Sequence, residues 1–407
     1  MSLAAPDHGP YALGPKIGGG GMAAVYLGKY VPSPGEEAPS EQAVVALKVI
    51  KGELVSNPEY EKMFLDEAEI LTRLSHPNVI RTVGYGAQAG AWFIAMELLM
   101  GRSLLDVWEA AAEKKRAIPF DVAAHVAREV ARGLEHAHGL VDEEDGRKLG
   151  IVHRDVNPSN VFVGYDGSVK LIDFGLAKAR KRQTQSQRGL IKGKIPYLSP
   201  EQIKEDALDG RSDVYALGTT LWETVTMRRL FKRDTDVATV RAIQKGEVPD
   251  PRTFVEKFPD ALWAIVEKSL KQNRDERYAS AAAMADDLDR FLSKAKTGDL
   301  QHKLALLVGE LFPGEAEKQE GWLAEATGVE RKTLAPIVPI AQVPEVENSM
   351  PVLTPTPPDS DPETETETEA ATATPTVAVP VSRGMMVYAA VGAVAGVVVV
   401  AAYLALR

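Results

Sequence analysis

The chain has 407 residues with 47 basic and 57 acidic side chains, giving a formal net charge of −10. This balance argues against a nucleic-acid-binding protein with a basic surface, so no nucleic-acid partner is expected. There is no cysteine, which excludes disulfide frameworks, thiolate zinc sites and a cysteine nucleophile. The hydrophobic content of 45% is that of ordinary globular protein, and the length suits roughly two to three domains.

The predicted elements begin after an N-terminal tail at residues 1–10. Residues 11–97 have the pattern of short strands, with one helix from Pro58 to Leu74 where apolar residues recur at helical spacing. From residue 98 to residue 292 the pattern is mostly helical. The sequence therefore predicts a small β-rich lobe at 11–97 and a larger α-rich lobe at 98–292.

Two features of the first lobe carry chemistry. A glycine cluster at 18–21 follows an apolar strand and has no helix after it; alone, it is equally typical of a flexible turn. The next strand places Lys48 within an apolar run, on the same face as Ala46 and Ile50. Because that face should be partly buried, the charge needs a partner, and Glu67 on the following helix is a candidate.

The second lobe contains a polar motif and a following acidic residue. Asp155 has an asparagine, Asn160, five residues further on, and Asp173 lies just beyond a predicted strand. These three side chains can supply one proton acceptor and two oxygen ligands for a hard cation such as Mg²⁺.

Three segments of different character follow the second lobe. Residues 293–335 are predicted to form a helical extension, and residues 336–383 an acidic, Pro- and Thr-rich disordered linker. The uncharged apolar run within 384–406 is long enough for a transmembrane helix, although a buried helix is the alternative. Gly392 and Gly396 in this run have the spacing of a helix-pairing motif, so a homodimer is left open.

The set of motifs resembles the bacterial branch of the eukaryotic-type (Hanks-type) Ser/Thr protein kinase family, most closely the myxobacterial kind. The resemblance covers residues 11–292. It is carried by six motifs in the family's order: the glycine loop from Gly18, Lys48, Glu67, His153-Arg154-Asp155, Asp173-Phe174-Gly175 and Ser199-Pro200-Glu201. It implies an α+β bilobal kinase fold, here joined to the linker and the transmembrane helix. It also implies that Glu201 pairs with Arg277 inside the large lobe.

The same resemblance implies transfer of the γ-phosphoryl group of ATP to Ser/Thr hydroxyls of protein substrates, including the chain itself. Lys48, held by Glu67, would contact the α- and β-phosphates. Asp173 and Asn160 would hold Mg²⁺, with Mn²⁺ as an alternative, and Asp155 would accept the proton of the substrate hydroxyl. Nucleotide contacts are expected from Ile17, Gly18, Gly20, Gly21, Val25, Ala46, Lys48, Met96, Glu97, Leu99 and Asp173.

Two residues depart from the family pattern near the reacting groups. Asn157 stands where the family usually has a lysine, and Lys194 stands where it usually has a threonine. One interpretation is a degraded site, which would make the chain a pseudokinase or ATP-binding scaffold at the membrane. Our hypothesis is compensation, in which Lys194 takes a catalytic role by returning the cation that Asn157 lacks.

The segment before Lys194 is rich in lysine and arginine and contains Thr184 and Ser186, which we expect as phosphorylation sites. A solvated basic surface is the alternative interpretation of this segment. From the apolar run at 384–406 we expect a single-pass protein of the cytoplasmic membrane, with its kinase domain in the cytoplasm.

Overall fold

A computed structural model gives the architecture of residues 11–19, 23–32, 44–50, 58–88, 91–174, 194–295 and 298–327. All of them belong to one compact unit, Met1–Pro344; the second unit, Glu345–Arg407, lies outside the described residues. The small β-rich lobe and the larger helical lobe that the sequence predicts are confirmed.

The first lobe is built on an antiparallel sheet with the strand order β1-β2-β3-β5-β4. Its strands are β1 (Tyr11–Gly19), β2 (Ala23–Tyr30), β3 (Val44–Ile50), β4 (Thr82–Gln88) and β5 (Ala91–Glu97), and helix α1 (Pro58–Arg73) packs beside β4. In the central strand β3, Lys48 stands opposite Val25 of β2 and Ile94 of β5. The register therefore places the strand lysine between the strand that follows the glycine cluster and the strand that leads to the second lobe.

The second lobe contains α2 (Leu104–Glu113), α3 (Phe120–His138), α4 (Pro200–Lys204), α5 (Gly210–Thr226), α6 (Asp236–Lys245), α7 (Asp260–Ser269) and α8 (Ala281–Ala295). Ser103 caps the N-terminus of helix α2, where its hydroxyl accepts from the Asp106 amide in a capping box. Helix α5 is buried from Ser212 to Thr226, as expected for a central helix packed on every side.

A small sheet lies where the lobes meet and carries the predicted metal ligands. Its strands are β6 (Gly101–Ser103), β7 (Val161–Gly164) and β8 (Val169–Leu171), in that order. Asn160 immediately precedes β7, and Asp173 follows β8 by two residues. The pairing of β7 with β8 therefore brings these two side chains to the same edge of the sheet.

Two further helices follow α8: α9 (Leu300–Leu311) and α10 (Glu315–Thr327). Asp299 caps the N-terminus of helix α9, where its carboxylate accepts from the His302 amide. Its apolar residues Leu304, Leu307, Val308 and Leu311 are at most 4% exposed and join the main hydrophobic core. The helix is thus packed into the second lobe.

The localisation in the cytoplasmic membrane that the sequence predicts is contradicted. Among the described residues, no helix combines the length and apolar character needed to cross a membrane. The longest described helix, α3, has 19 residues but bears charged side chains such as Arg128, Glu129 and Arg132 on one face. The predicted span at 384–406, its Gly392 and Gly396, and the linker at 336–383 lie outside the described residues.

Candidate active site

Lys48 and Asp173 meet in the cleft between the lobes. The Lys48 Nζ donates to Asp173 Oδ1 at 2.5 Å, although 125 positions separate the two residues. The Asp173 side chain remains 45% exposed, so a solute in the cleft can reach its carboxylate. The contact joins the predicted phosphate-binding cation to a predicted metal ligand.

A hydrogen-bonded loop holds Asp155 beside this pair. The Asn160 side-chain amide donates to the Asp155 carbonyl at 2.8 Å, and the carbonyl of Asn160 accepts from the Ile172 amide at 2.9 Å. Asn157 donates to both the carbonyl and the Oδ1 of Asp155, at 2.8 and 3.0 Å. The backbone around the predicted proton acceptor is therefore tied to the residue next to Asp173.

The buried carboxylate of Asp213 fixes the strained backbone of this loop. It accepts from the amides of His153 and Arg154, at 2.7 and 2.8 Å, and contacts His138 Nε2 at 2.8 Å. Arg154 and Asp173 have φ values of +66° and +57°, which non-glycine residues adopt at a cost of about 1–3 kcal/mol. The bonds to Asp213 offset part of this cost at Arg154.

The two histidines near Asp213 have opposite pKa shifts. Burial of His138 opposes its charged form, but the hydrogen bond and the charge of Asp213 outweigh burial and raise the pKa of His138. Burial lowers the pKa of His153, whose ring packs on Phe174 with centroids 4.4 Å apart. His138 is thus suited to carry a proton, whereas His153 acts as a neutral packing group.

Lys194 reaches the Asp155 carboxylate from another part of the chain. Its Nζ donates to Asp155 Oδ2 at 2.5 Å, and the Asp155 side chain is 9% exposed. Lys194 immediately precedes the short turn Ile195–Tyr197, which packs against α5. The carboxylate is therefore bound by Asn157 on one oxygen and by a cation on the other.

The predicted nucleotide contacts line the first lobe and its exit. Ala46 and Met96 are buried and stand opposite each other in β3 and β5. Ile17, Val25 and Leu99 are partly buried and pack against the same core. These five apolar side chains can form the wall for a planar base.

Glu97 has a further set of contacts that sequence reasoning missed. Its Oε1 accepts from the Arg81 amide and from Lys170 Nζ, both at 2.8 Å. Lys170 lies in β8, three residues before Asp173. Glu97 therefore links the exit of the first lobe to the strand before the predicted metal ligand Asp173. The signal available in the sequence was the position of Lys170 between the apolar residues of β8.

The oxygen donors present fit the predicted cation. Mg²⁺ is commonly held by one or two protein oxygens together with water and phosphate, which suits Asp173 and Asn160. Among the described residues, no group of three or more His, Cys, Asp or Glu side chains forms a separate metal site.

Several of the predicted site residues lie outside the part of the chain that the structure describes. Gly20, Gly21, Thr184 and Ser186 lie outside the described residues, and the side chain of Glu67 is likewise not described, although its backbone belongs to α1. Gly18, in β1, stands opposite Val25.

The expected pair inside the large lobe is present. Both carboxylate oxygens of Glu201 accept from the Arg277 guanidinium, at 2.7 and 2.8 Å, and the Arg277 side chain is fully buried. Burial opposes ionisation of Glu201, but the bonds from Arg277 and Ser212 lower the pKa of Glu201 overall.

Comparisons with known proteins give a consistent result. The family model for the protein kinase domain matches residues 11–288. The tyrosine-protein kinase MasK of Myxococcus xanthus is 38% identical over 291 residues, which cover 72% of this chain and 44% of MasK. A probable serine/threonine-protein kinase of Clostridium perfringens is 34% identical over 282 residues, or 69% of this chain and 38% of that protein. The chain thus spans less than half the length of either relative.

A solved structure shares the fold. The crystal structure of the Mycobacterium tuberculosis PknI kinase domain matches with a TM-score of 0.52 and 24% identity, covering 71% of this chain and 99% of that one. At this identity the match shows a common bilobal architecture.

Proposed function

Because the chain belongs to the protein kinase family, we propose that it transfers the γ-phosphoryl group of ATP to serine or threonine hydroxyls of proteins. One observation carries the proposal. Lys48 bonds to Asp173, Asn160 bonds to Asp155, and the backbone of Asn160 bonds to Ile172, next to Asp173. A phosphate-binding cation, two metal ligands and a proton acceptor are therefore assembled in one cleft.

Each of these side chains has a distinct task. Lys48 offsets the negative charge of the α- and β-phosphates, while Asp173 and Asn160 supply oxygens to Mg²⁺, which neutralises charge on the phosphates when bound. Asp155 orients the substrate hydroxyl and accepts its proton as the oxygen bonds to the γ-phosphorus. The bond from that phosphorus to the bridging oxygen breaks, and ADP leaves with the electron pair.

Lys194 adds a cation that compensates for Asn157. Its position on Asp155 supports this assignment, because an ammonium group there lies beside the acceptor carboxylate. When substrate enters, the same group would neutralise charge that develops on the phosphoryl oxygens.

The accepting residue is proposed to be serine or threonine, and the chain itself to be one substrate through Thr184 and Ser186. The Clostridium perfringens relative is named a probable serine/threonine kinase, whereas MasK is named a tyrosine kinase. Phosphoamino-acid analysis of the labelled products distinguishes the two substrate classes directly.

The test uses the full chain with Mg²⁺ and ATP labelled in the γ-phosphate. Asp155→Asn is expected to lower label transfer by at least about 100-fold, because it removes the proton acceptor. Asp234→Asn, the same substitution at an exposed position, is the matched control and should equal the parent. Equal transfer by Asp155→Asn, or label found in tyrosine alone, would contradict the proposal.

A second candidate function is nucleotide binding without phosphoryl transfer. It is favoured by the same geometry, because lysine side chains are bound to both Asp155 and Asp173. A full chain that binds Mg·ADP but transfers no label would support this alternative.

A further inference from the structure

Gln319 of α10 bonds to both backbone groups of Gly101, the first residue after the lobe connection at 98–100. The Gly101 amide donates to Gln319 Oε1 at 2.9 Å, and Gln319 Nε2 donates to the Gly101 carbonyl at 3.2 Å. Gln319 is 3% exposed, so these bonds are shielded from water. Removing them leaves two buried backbone groups without this partner.

Gly101 lies between the lobe connection and the small sheet. It opens β6 and pairs with Gly164 of β7, the strand that follows the metal ligand Asn160. A side chain at position 101 would overlap the Val163 carbonyl, so the backbones approach here as only glycine allows. A contact at Gly101 therefore acts on the lobe connection and on the strand behind the site.

Helix α9 anchors the start of α10, the helix that carries Gln319. The apolar face of α9 is buried in the second lobe. In addition, Lys114 of that lobe donates to the carbonyls of Glu310 and Leu311, both at 2.9 Å. A lysine at the last carbonyls of a helix stabilises that end. Three ion pairs flank this arrangement: Arg102 with Glu315, Arg116 with Glu310 and Lys303 with Asp121.

Helix α10 continues from this anchor to the first lobe. It lies against β2, the strand that follows the glycine cluster. One segment therefore contacts the helical lobe, the exit of the lobe connection and the strand that carries the predicted nucleotide contact Val25. None of its residues belongs to the region that the family model matches, which ends at 288.

We infer that residues 298–327, called the strap here, hold the two lobes in register for nucleotide binding, and that Gln319 is the positioning residue of the strap. The nucleotide part of this inference rests on the proposed function. The strap limits the movement of β2 relative to Gly101, so less freedom is lost when a nucleotide is bound between them.

The test compares full-length Gln319→Met with full-length Glu317→Met, an exposed position on the same helix. Methionine keeps the length of glutamine but removes both hydrogen bonds. Without nucleotide, backbone hydrogen exchange in β2 should become severalfold faster in Gln319→Met. The Kd for Mg·ADP, measured by calorimetry, and the KM for ATP should rise about five- to tenfold, with kcat within twofold of the parent. Glu317→Met should match the parent throughout.

Glu315→Gln, which weakens the pair with Arg102, is a second variant and should shift the same quantities in the same direction by less. If β2 exchange and Mg·ADP affinity in Gln319→Met equal those of Glu317→Met, the strap is refuted. Faster exchange with unchanged Mg·ADP affinity refutes the positioning role. If the parent protein binds no Mg·ADP but β2 exchange is still faster in Gln319→Met, the contact between the strap and the lobes is supported. The proposed function is then contradicted instead.

Discussion

Lys194 Nζ lies 2.5 Å from Oδ2 of Asp155, across 39 positions of sequence. The other carboxylate oxygen accepts from Asn157 at 3.0 Å. A charge-assisted bond to the proposed proton acceptor both orients it and holds a cation at the point of transfer.

Replacing Lys194 by alanine or threonine should lower kcat for label transfer by about 10- to 100-fold, because a cation that stabilises developing charge is lost. Lys194→Arg should retain more activity than either. Lys204→Ala, at an exposed position, is the control. The compensation hypothesis fails if both the alanine and threonine variants match the parent.

The two unusual residues should be energetically coupled. Asn157→Lys alone places a second cation beside Asp155 at a position only 2% exposed, so it should lower activity and stability. Combining it with Lys194→Thr should restore much of the loss, with a coupling energy of about 0.5–3 kcal/mol. A double-mutant cycle on label transfer measures this coupling, and strictly additive effects would argue against a shared pocket.

The His138–Asp213 pair should make stability depend on pH. The folded state raises the pKa of His138 above its usual 6.5, so the charged pair contributes fully below pH 6.5. The contribution decreases as pH rises through the raised value. His138→Gln keeps a donor but no charge; its urea midpoint should lie furthest below the parent's near pH 6 and approach it at higher pH. Exposed His302→Gln is the control, and a gap that widens with pH would contradict this assignment.

Two glycines with similar backbone geometry offer a matched test of how α9 is seated. Gly167 and Gly146 have φ values of +77° and +69°. A side chain at Gly146 meets open space, whereas one at Gly167 would overlap the carbonyl of Gln301 in α9. Gly146→Ala should cost about 1–2 kcal/mol of unfolding free energy. Gly167→Ala should cost about 1–3 kcal/mol more, because the helix must shift. Equal costs in chemical unfolding would show that α9 is not seated there in solution.

The sequence predicts the two lobes well because period-two and helical patterns separate cleanly at the lobe connection. It also predicts that Lys48, Asp155, Asn160 and Asp173 belong together, since their order and spacing are a family signature. For Lys48, however, alternation indicated only that a partner was needed and suggested Glu67. Among the described side chains Lys48 bonds to Asp173, a partner that depends on how the lobes close. The Glu67 side chain lies outside the described residues, so its pairing with Lys48 stays a prediction.

Some long-range polar contacts were beyond sequence reasoning, although the Glu201–Arg277 pair was expected from the family resemblance. Gln319 and Gly101 are 218 positions apart, and a glutamine in an amphipathic helix has no pattern that distinguishes a buried partner from solvent. The Glu97 side chain binds Lys170 and the Arg81 amide, which the sequence did not predict, while its expected nucleotide contact stays a prediction. Local periodicity reports which face of an element is apolar, and it carries no information about which distant backbone group that face will meet.

The burial of α9 has a practical consequence for work on fragments. A polypeptide cut at residue 288, where the family match ends, would lack Leu300, Leu304, Leu307, Val308 and Leu311, all at most 8% exposed. Each such side chain stabilises a fold by about 1.5–3 kcal/mol when buried. The trimmed polypeptide would present the vacated apolar faces of α2 and α3 to water and invite aggregation. Proteolytic trimming for crystallisation should therefore be aimed beyond Thr327, where the last helix of the described residues ends.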